Sequence, residues 1–316
     1  MIDKKIKLGI IGTGRIAKRM VSDAKVVTNL EIYSIYNPHY LSSQAFAKEC
    51  GINKYYDNLE QFLATVDAVY IASPHETHVN YTRESLLAGK HVLCEKPMAF
   101  SKLEAKELFQ LAKEKNLVLM EAFKTAYCPG YQALCETVLS GKIGDVYDVE
   151  ACFCKLTAPE LREMKDERYG GSVTELASYV LLPIIQILGS EISEVQFKSI
   201  KAPTGIDLYT KIILEYNNAM ALGKVGLGVK SEAQLIIAGT KGYILAESPW
   251  WLTKKFEVRY EDTSKTEEYS FPFEQNGLHY ELDAFKNSIL SNKRVNDSEK
   301  ISIAIADLLH RFMETR

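Results

Sequence analysis

Short apolar runs alternate with helical patterns over residues 1–120, and this alternation constrains the chain more than anything else in it. Ile6–Ile11, Glu31–Tyr36, Asp67–Ala72, His91–Cys94 and Leu117–Met120 each read as a strand. Between them Arg15–Thr28, Ser42–Cys50 and Asn80–Ala88 read as helices, with Gly51 and Gly89 closing the last two. Ser101 with Glu104 three residues on is a capping box that opens a further helix. Strands that are almost continuously Val, Ile and Leu are apolar on both faces. Helices between them cover both sides, so the expected architecture is α/β with a doubly wound parallel sheet.

After residue 120 the rhythm changes. Tyr131–Leu139 and Val173–Leu188 read as helices, the second stopping at Gly189. Asp145–Leu156, Glu194–Lys201, Tyr209–Tyr216, Ala219–Val225, Glu232–Ala238, Gly242–Ala246 and Phe256–Tyr260 alternate like strands and mostly lack intervening helices, while Glu281–Leu290 and Lys300–Met313 are helical. That pattern predicts an α+β domain with an open, largely antiparallel sheet. A chain of 316 residues has room for two domains, and the boundary falls near 122, giving 1–122 and 123–316.

Charge narrows the partners. The net charge is −3, from 38 basic and 41 acidic residues, and nothing in it favours nucleic acid or an anionic membrane. Met1–Lys5 leads into a strand without a secretory pattern, and Val180–Leu188, broken by Pro183 and Gln186, is too short to span a bilayer. Six scattered cysteines in such a chain are expected to be reduced, so the protein is expected to be cytoplasmic. Cys152-Phe153-Cys154 alternates along a strand, which puts two thiols on one face. A metal there, or at His75 and His78, lacks further ligands nearby in sequence, so no metal site is expected.

The first strand runs into Gly12-Thr13-Gly14-Arg15-Ile16-Ala17 and then a helix. Gly12 permits a tight turn, Gly14 lets a pyrophosphate approach the backbone, and Ala17 is small enough for helix–strand packing. The helix N-terminus adds N–H groups and positive potential. The motif alone is weak and a plain tight turn is the bland alternative. Its place at the first strand–helix junction makes it a dinucleotide signal. An acidic residue at the end of the second strand would repel a 2′-phosphate. Asn37 stands there instead, with Arg15 and His39 at hand, so the cofactor is NAD(P) with a lean to NADP.

Ligands of an open parallel sheet bind beyond the carboxyl ends of its strands. Ser73-Pro74-His75 and Glu95-Lys96-Pro97 land on that edge with the glycine turn. Most lysines are surface residues. A short buried strand nonetheless aims Lys96 at the crevice, and Pro97 restrains the backbone behind it.

"GIIGTGRIA", "SPHETHVNYTRESLLAGKHVLCEKPMA" and "LMEAF…CPGYQALCETVLSGKIGDV" together resemble the glucose–fructose oxidoreductase / inositol dehydrogenase family, Gfo/Idh/MocA. The likeness continues through "GGSVTELASYVLLPIIQILG", "AGTKGYILAESPWW" and "GLHYELDAFKNSI" and covers nearly the whole chain. The resemblance implies a Rossmann domain, then a mixed α/β domain whose open sheet often serves in dimerisation, hence a homodimer or homotetramer. It implies hydride transfer between a nicotinamide and a sugar, cyclic polyol or related carbonyl/alcohol. Gly12, Gly14, Arg15, Ile16, Ala17, Asn37, Ser73, Pro74, His75, His78, Glu95 and Lys96 are then the expected cofactor-side residues. His75 is expected against the ribose or nicotinamide, and His78 packing and hydrogen-bonding below the site.

On Val173–Leu188 the family's acid, glycine and histidine-or-tyrosine slots read Glu175, Ala177 and Tyr179. Tyrosine in the last slot, with "MEAF" at 120–123, resembles the dihydrodiol dehydrogenase-like branch. Glu175 is one methylene longer than the common aspartate. Lys124 and Ala126 replace an aromatic and an arginine of that branch, so its substrate does not carry over. A phenol ordinarily titrates near about 10 and a neighbouring ammonium favours its anion. Tyr179 is therefore expected as proton donor in reduction and acceptor in oxidation, with Lys96 orienting the substrate oxygen, although the two roles could be reversed. Glu175 is expected to orient substrate or Tyr179, or else to satisfy a helix end. Trp250, Trp251 and Tyr127 are expected either to wall a substrate pocket or to belong to the core. A non-catalytic dinucleotide-binding regulator of the same fold is the alternative, and retention of both Lys96 and Tyr179 speaks for catalysis.

Overall fold

A computed structural model of the chain describes residues 5–291 and 298–316. The reading of Met1–Lys4 lies outside them. The chain divides into two compact units, residues 1–124 with 274–303, and residues 125–273 with 304–316.

The first unit runs β1 (Ile6–Ile11), α1 (Arg15–Asp23), β2 (Leu30–Tyr36), α2 (Tyr40–Cys50), β3 (Tyr55–Tyr56), α3 (Leu59–Leu63), β4 (Ala68–Ile71), α4 (His78–Leu87), β5 (His91–Glu95), α5 (Lys102–Glu114) and β6 (Leu119–Ala122). The strands form one parallel sheet in the order β3-β2-β1-β4-β5-β6. Leu8, Ile10, Val69, Tyr70, Ile71, Val92, Leu93 and Cys94 are wholly buried, as strands covered on both faces must be. The order reverses between β1 and β4, the switch point at which such sheets open a crevice. Ile11 pairs with Ile71 and Ile71 with Cys94, so the carboxyl ends of β1, β4 and β5 are level.

Sequence and structure differ here in two places. The helix expected over Arg15–Thr28 ends at Asp23 and passes into a 3-10 turn at Ala24–Val26. Asp23 is buried and accepts from the N–H groups of Asn276 (3.2 Å) and Leu278 (2.9 Å) and the Asn276 amide (2.8 Å), which fixes the start of a later helix. β3 and α3 were not legible. Two half-buried tyrosines carry no periodicity, and α3 is five residues started by Asn58, whose side chain accepts from Gln61 N at 2.9 Å.

The chain continues through α6 (Lys124–Tyr127), α7 (Pro129–Leu139), β7 (Val146–Cys154), α8 (Ser172–Leu188), β8 (Glu194–Lys201), β9 (Asp207–Glu215), β10 (Met220–Gly226), β11 (Leu235–Gly239), β12 (Tyr243–Ala246), β13 (Lys255–Arg259), β14 (Glu267–Ser270), α9 (Leu278–Ser291) and α10 (Ser298–Met313). The second unit's sheet has eight strands in the order β14-β13-β12-β11-β7-β10-β9-β8, parallel between β7 and β10 and antiparallel elsewhere. α8 packs on its centre, where a Cβ on Gly223 would meet Val180 at 3.0 Å. Among the described residues no helix is long and apolar enough to cross a membrane.

Candidate active site

Gly12 follows β1 with φ +108°, and a Cβ there would lie 2.5 Å from the carbonyl oxygen of Ala72. Only glycine fits so close to the end of β4. Gly14 is different. It has an ordinary φ of −81°, and a Cβ would meet only Ala72 O, at 4.0 Å. The protein itself does not demand glycine at 14, whereas a pyrophosphate approaching the backbone does. α1 starts directly after it with no side-chain cap and no acid in its first turn, leaving N–H groups for an anion. Arg15 is exposed, Ile16 half-buried and Ala17 buried against the sheet. These residues fit a dinucleotide.

Asn37 follows β2. Its amide donates to Thr13 Oγ1 at 2.9 Å, and its Oδ1 accepts from His39 N at 2.9 Å. The uncharged side chain thus ties the glycine turn to the start of α2. His39 is exposed.

After β4, Pro74 opens a 3-10 turn at His75–Thr77, and Ser73 and Thr77 share a hydrogen bond of 2.7 Å. The His75 ring stands edge-on to His78, with centroids 5.6 Å apart. His78 is wholly buried, its Nδ1 2.8 Å from Pro97 O and its Nε2 2.9 Å from Ser73 O. Burial lowers its pKa, opposed by those two backbone contacts. His78 is the joint between the loops that follow β4 and β5, and Lys96 stands in the second of them. The Lys96-Pro97 peptide is cis.

A buried carboxyl layer lies behind that loop. Glu95 ends β5 and accepts from Tyr70 OH at 2.5 Å. Glu121 on β6 accepts from Met98 N at 2.9 Å, and burial pushes its carboxyl up to about 7. Glu281 on α9 is wholly buried, and neither of its oxygens has a hydrogen-bond partner among the described residues. Burial first, then Glu95, holds Glu281 far above the carboxylate range; burial raises Glu95 too, against the opposing charge of Lys96. Sequence reasoning missed Tyr70, Glu121 and Glu281. A glutamate inside the apolar "LMEAF" run was the one available signal.

In the second unit, α8 is buried from Ser172 to Ile185 except at Glu175 and Tyr179. These two are four residues apart and so share one face. Phe153 of β7 meets the Tyr179 ring edge-on at 4.9 Å and stacks on Trp251 at 3.7 Å and 7°. Phe153 therefore packs directly on the phenol ring, with Trp251 stacked behind Phe153. Trp250 is wholly buried, with its indole N–H donating to Cys152 O at 2.8 Å. The start of α8 is held from outside the helix. Asp207 Oδ2 accepts from Val173 N (2.9 Å) and Thr210 Oγ1 (2.8 Å), and Arg316 donates to Asp207 Oδ1 at 3.1 Å. Lys124, in the first unit, donates to Asn276 O at 3.0 Å.

A parallel sheet with this switch point, a glycine turn and an uncapped helix start defines a dinucleotide-binding α/β protein. Residues 6–123 match the family model described as "Oxidoreductase family, NAD-binding Rossmann fold", and residues 131–245 match the GFO/IDH/MocA C-terminal domain. The chain belongs to the GFO/IDH/MocA family of NAD-binding oxidoreductases. It is similar to scyllo-inositol 2-dehydrogenase (NADP(+)) IolU of Bacillus subtilis (strain 168), 28% identical over 298 residues, covering 91% of this chain and 89% of that one. It is also similar to trans-1,2-dihydrobenzene-1,2-diol dehydrogenase of Xenopus laevis, 28% identical over 320 residues, covering 98% and 96%, which agrees with the branch expected from Tyr179. Among solved structures it resembles KijD10, a 3-ketoreductase from Actinomadura kijaniata in complex with NADP and TDP-benzene, with TM-score 0.84, 22% identity and 96% of each chain covered. That last likeness speaks for the fold alone.

Proposed function

We propose that the protein is an NAD(P)-dependent dehydrogenase/reductase that transfers hydride between the nicotinamide and a CH-OH carbon of a sugar, cyclic polyol or related small carbonyl compound. The bound nicotinamide supplies the hydride acceptor or donor. The chain's own residues do the rest. The glycine turn and α1 hold the pyrophosphate, and Asn37 faces the ribose. With no carboxylate there, the 2′-phosphate of NADP meets no repulsion, and Arg15 and His39 offer it positive charge. Ser73, Pro74 and His75 line the cofactor side, while His78 and Glu95 fix the loops beneath it. Tyr179 gives a proton to the substrate oxygen in reduction and takes it in oxidation. Lys96 orients that oxygen and stabilises its developing charge, a contribution of roughly 10²–10⁴-fold for a well-placed acid–base group. Glu175, one turn before Tyr179, orients substrate or phenol.

Residues 1–122, with 274–303 grouped beside them, act as the dinucleotide domain and the rest of 123–316 as the substrate domain, whose open sheet joins copies into a cytoplasmic homodimer or homotetramer. The observation that supports the reading most is Gly14, a glycine that only a ligand requires. The experiment follows nicotinamide absorbance with NADP and NAD against a panel of inositols, aldoses, dihydrodiols and dicarbonyls. Turnover with at least one polyol or its ketone, faster with NADP, is expected. Tight cofactor binding without turnover across the panel would indicate a dinucleotide-binding regulator instead.

A further inference from the structure

We propose that the open face of the eight-stranded sheet meets the same face of a second copy about a twofold axis that runs across the strands, so that a row of lysines on each copy lies over a row of acids on the other. This rests on the assembly suggested above and deepens it by stating which residues of the two copies face one another.

Alternation along the strands fixes which residues lie on that face. A Cβ on Gly223 would meet Val180 of α8 and also Ile212, so Gly223 and Ile212 belong to the covered side. Met220, Leu222 and Lys224 of β10 project from the opposite side, as do Lys211, Ile213 and Glu215 of β9. All six are exposed or half-buried, whereas Ala221, Val225, Ile212 and Leu214 between them are buried.

Strand register groups these residues into rows. Lys224 stands directly opposite Lys211, and Lys211 opposite Lys198 of β8. Two positions along each strand, Glu150 of β7 pairs with Leu222, Leu222 with Ile213 and Ile213 with Gln196. Two positions further, Asp148 pairs with Met220, Met220 with Glu215 and Glu215 with Glu194. A lysine row and an acid row, about 13 Å apart, therefore flank a mostly apolar middle row.

The isolated sheet leaves these charges unmatched. Like charges directly opposite destabilise a strand pair, and here three lysines stand side by side. Lys224 bonds Glu150 at 3.2 Å, which neutralises the one charge in the middle row. Among the described residues Lys198 and Lys211 have no ion pair, and Asp148, Glu194 and Glu215 have no cation partner. A polyanion on this face would meet the acid row as well as the lysines. The face is complementary to itself.

The direction of the axis decides which rows meet. An axis along the middle row lays each strand over its own counterpart, running the opposite way. Lys211 then lies over the partner's Glu215 and Lys198 over the partner's Glu194, in sheets packed about 10 Å apart. Leu222 and Ile213 supply the apolar contact along the axis. An axis parallel to the strands would put lysines over lysines and acids over acids, so the charge pattern selects the first.

The test is sedimentation velocity on the full chain over a range of concentrations, at about 50 mM and about 500 mM sodium chloride. Wild type is expected to dimerise, with a dissociation constant that rises with salt, because screening weakens attraction between unlike rows. Lys211→Glu is expected to raise that constant at least about tenfold, since the twofold creates two repulsive contacts per dimer. Adding Glu215→Lys is expected to restore the dimer. Each substitution also relieves a like-charge row within one copy, so the fold is not put at risk. A dimer that tightens with salt, or tightens in Lys211→Glu, would mean that like rows face each other; it would overturn the register and leave the assembly standing. A dimer indifferent to salt and to both substitutions would place the contact on another surface. A chain that stays monomeric up to about 100 µM would remove the assembly itself. The salt response of wild type decides the register without any variant.

Discussion

The phenol of Tyr70 donates to Oε1 of Glu95 across 2.5 Å between adjacent strands, both residues buried. The residue immediately before Lys96 is thereby fixed from within the sheet. Glu95, Glu121 and Glu281 form a buried carboxyl layer whose members are all pushed toward their neutral forms by desolvation.

Glu121 makes that layer visible in stability. Its pKa rises from 4.5 to about 7 on burial. A raised carboxyl pKa means that the folded state holds the proton more tightly. Its contribution is complete below the unfolded value and is lost as pH rises through about 7. Glu121→Gln keeps an acceptor for Met98 N–H without the titration. Between about pH 5 and about pH 8, wild type is expected to lose up to about 3 kcal/mol relative to the variant in urea unfolding. Parallel pH profiles would refute it.

The two glycines of the turn separate folding from binding. Gly12→Ala is expected to cost about 1–3 kcal/mol, because its φ of +108° and the Ala72 carbonyl admit no side chain. Gly14→Ala is expected to stay within about 0.5 kcal/mol of wild type. Its dinucleotide affinity should nonetheless fall at least about tenfold by titration calorimetry. Unchanged affinity in a folded Gly14→Ala protein would remove the pyrophosphate from that position.

Asn37→Asp places a carboxylate at the position proposed to face the ribose. The ratio of kcat/KM for NADP over NAD is expected to fall at least about tenfold. An unchanged ratio would mean that 2′-phosphate selection lies elsewhere.

Tyr179→Phe and Lys96→Ala are each expected to lower kcat by roughly 10²–10⁴-fold with cofactor affinity kept for the first. If both act on one step, the double variant loses far less than the product of the two. Fully multiplicative losses would show that the phenol and the ammonium serve separate steps.

Asp207→Ala strips the acceptor from Val173 N, Thr210 and Arg316 at the start of α8. A loss of about 2–3 kcal/mol is expected, since these bonds involve a charged group. A change below about 0.5 kcal/mol would show that solvent replaces it.

The sequence by itself determined the strand–helix alternation, the glycine turn, Lys96 behind a short apolar strand, and Glu175 with Tyr179 one helical turn apart. All of these are local, set by periodicity, capping and spacing along a few residues. Only the tertiary structure decided what depends on residues distant in the chain. Asp23 caps α9 from far upstream, so 274–303 groups with the parallel sheet. Tyr70 and Glu95 meet across strands, Asp207 holds α8 from β9, and Phe153, backed by Trp251, packs on Tyr179. The physical reason is burial: a polar group away from water must find its partner wherever the fold brings one, and no local pattern encodes which residue that is.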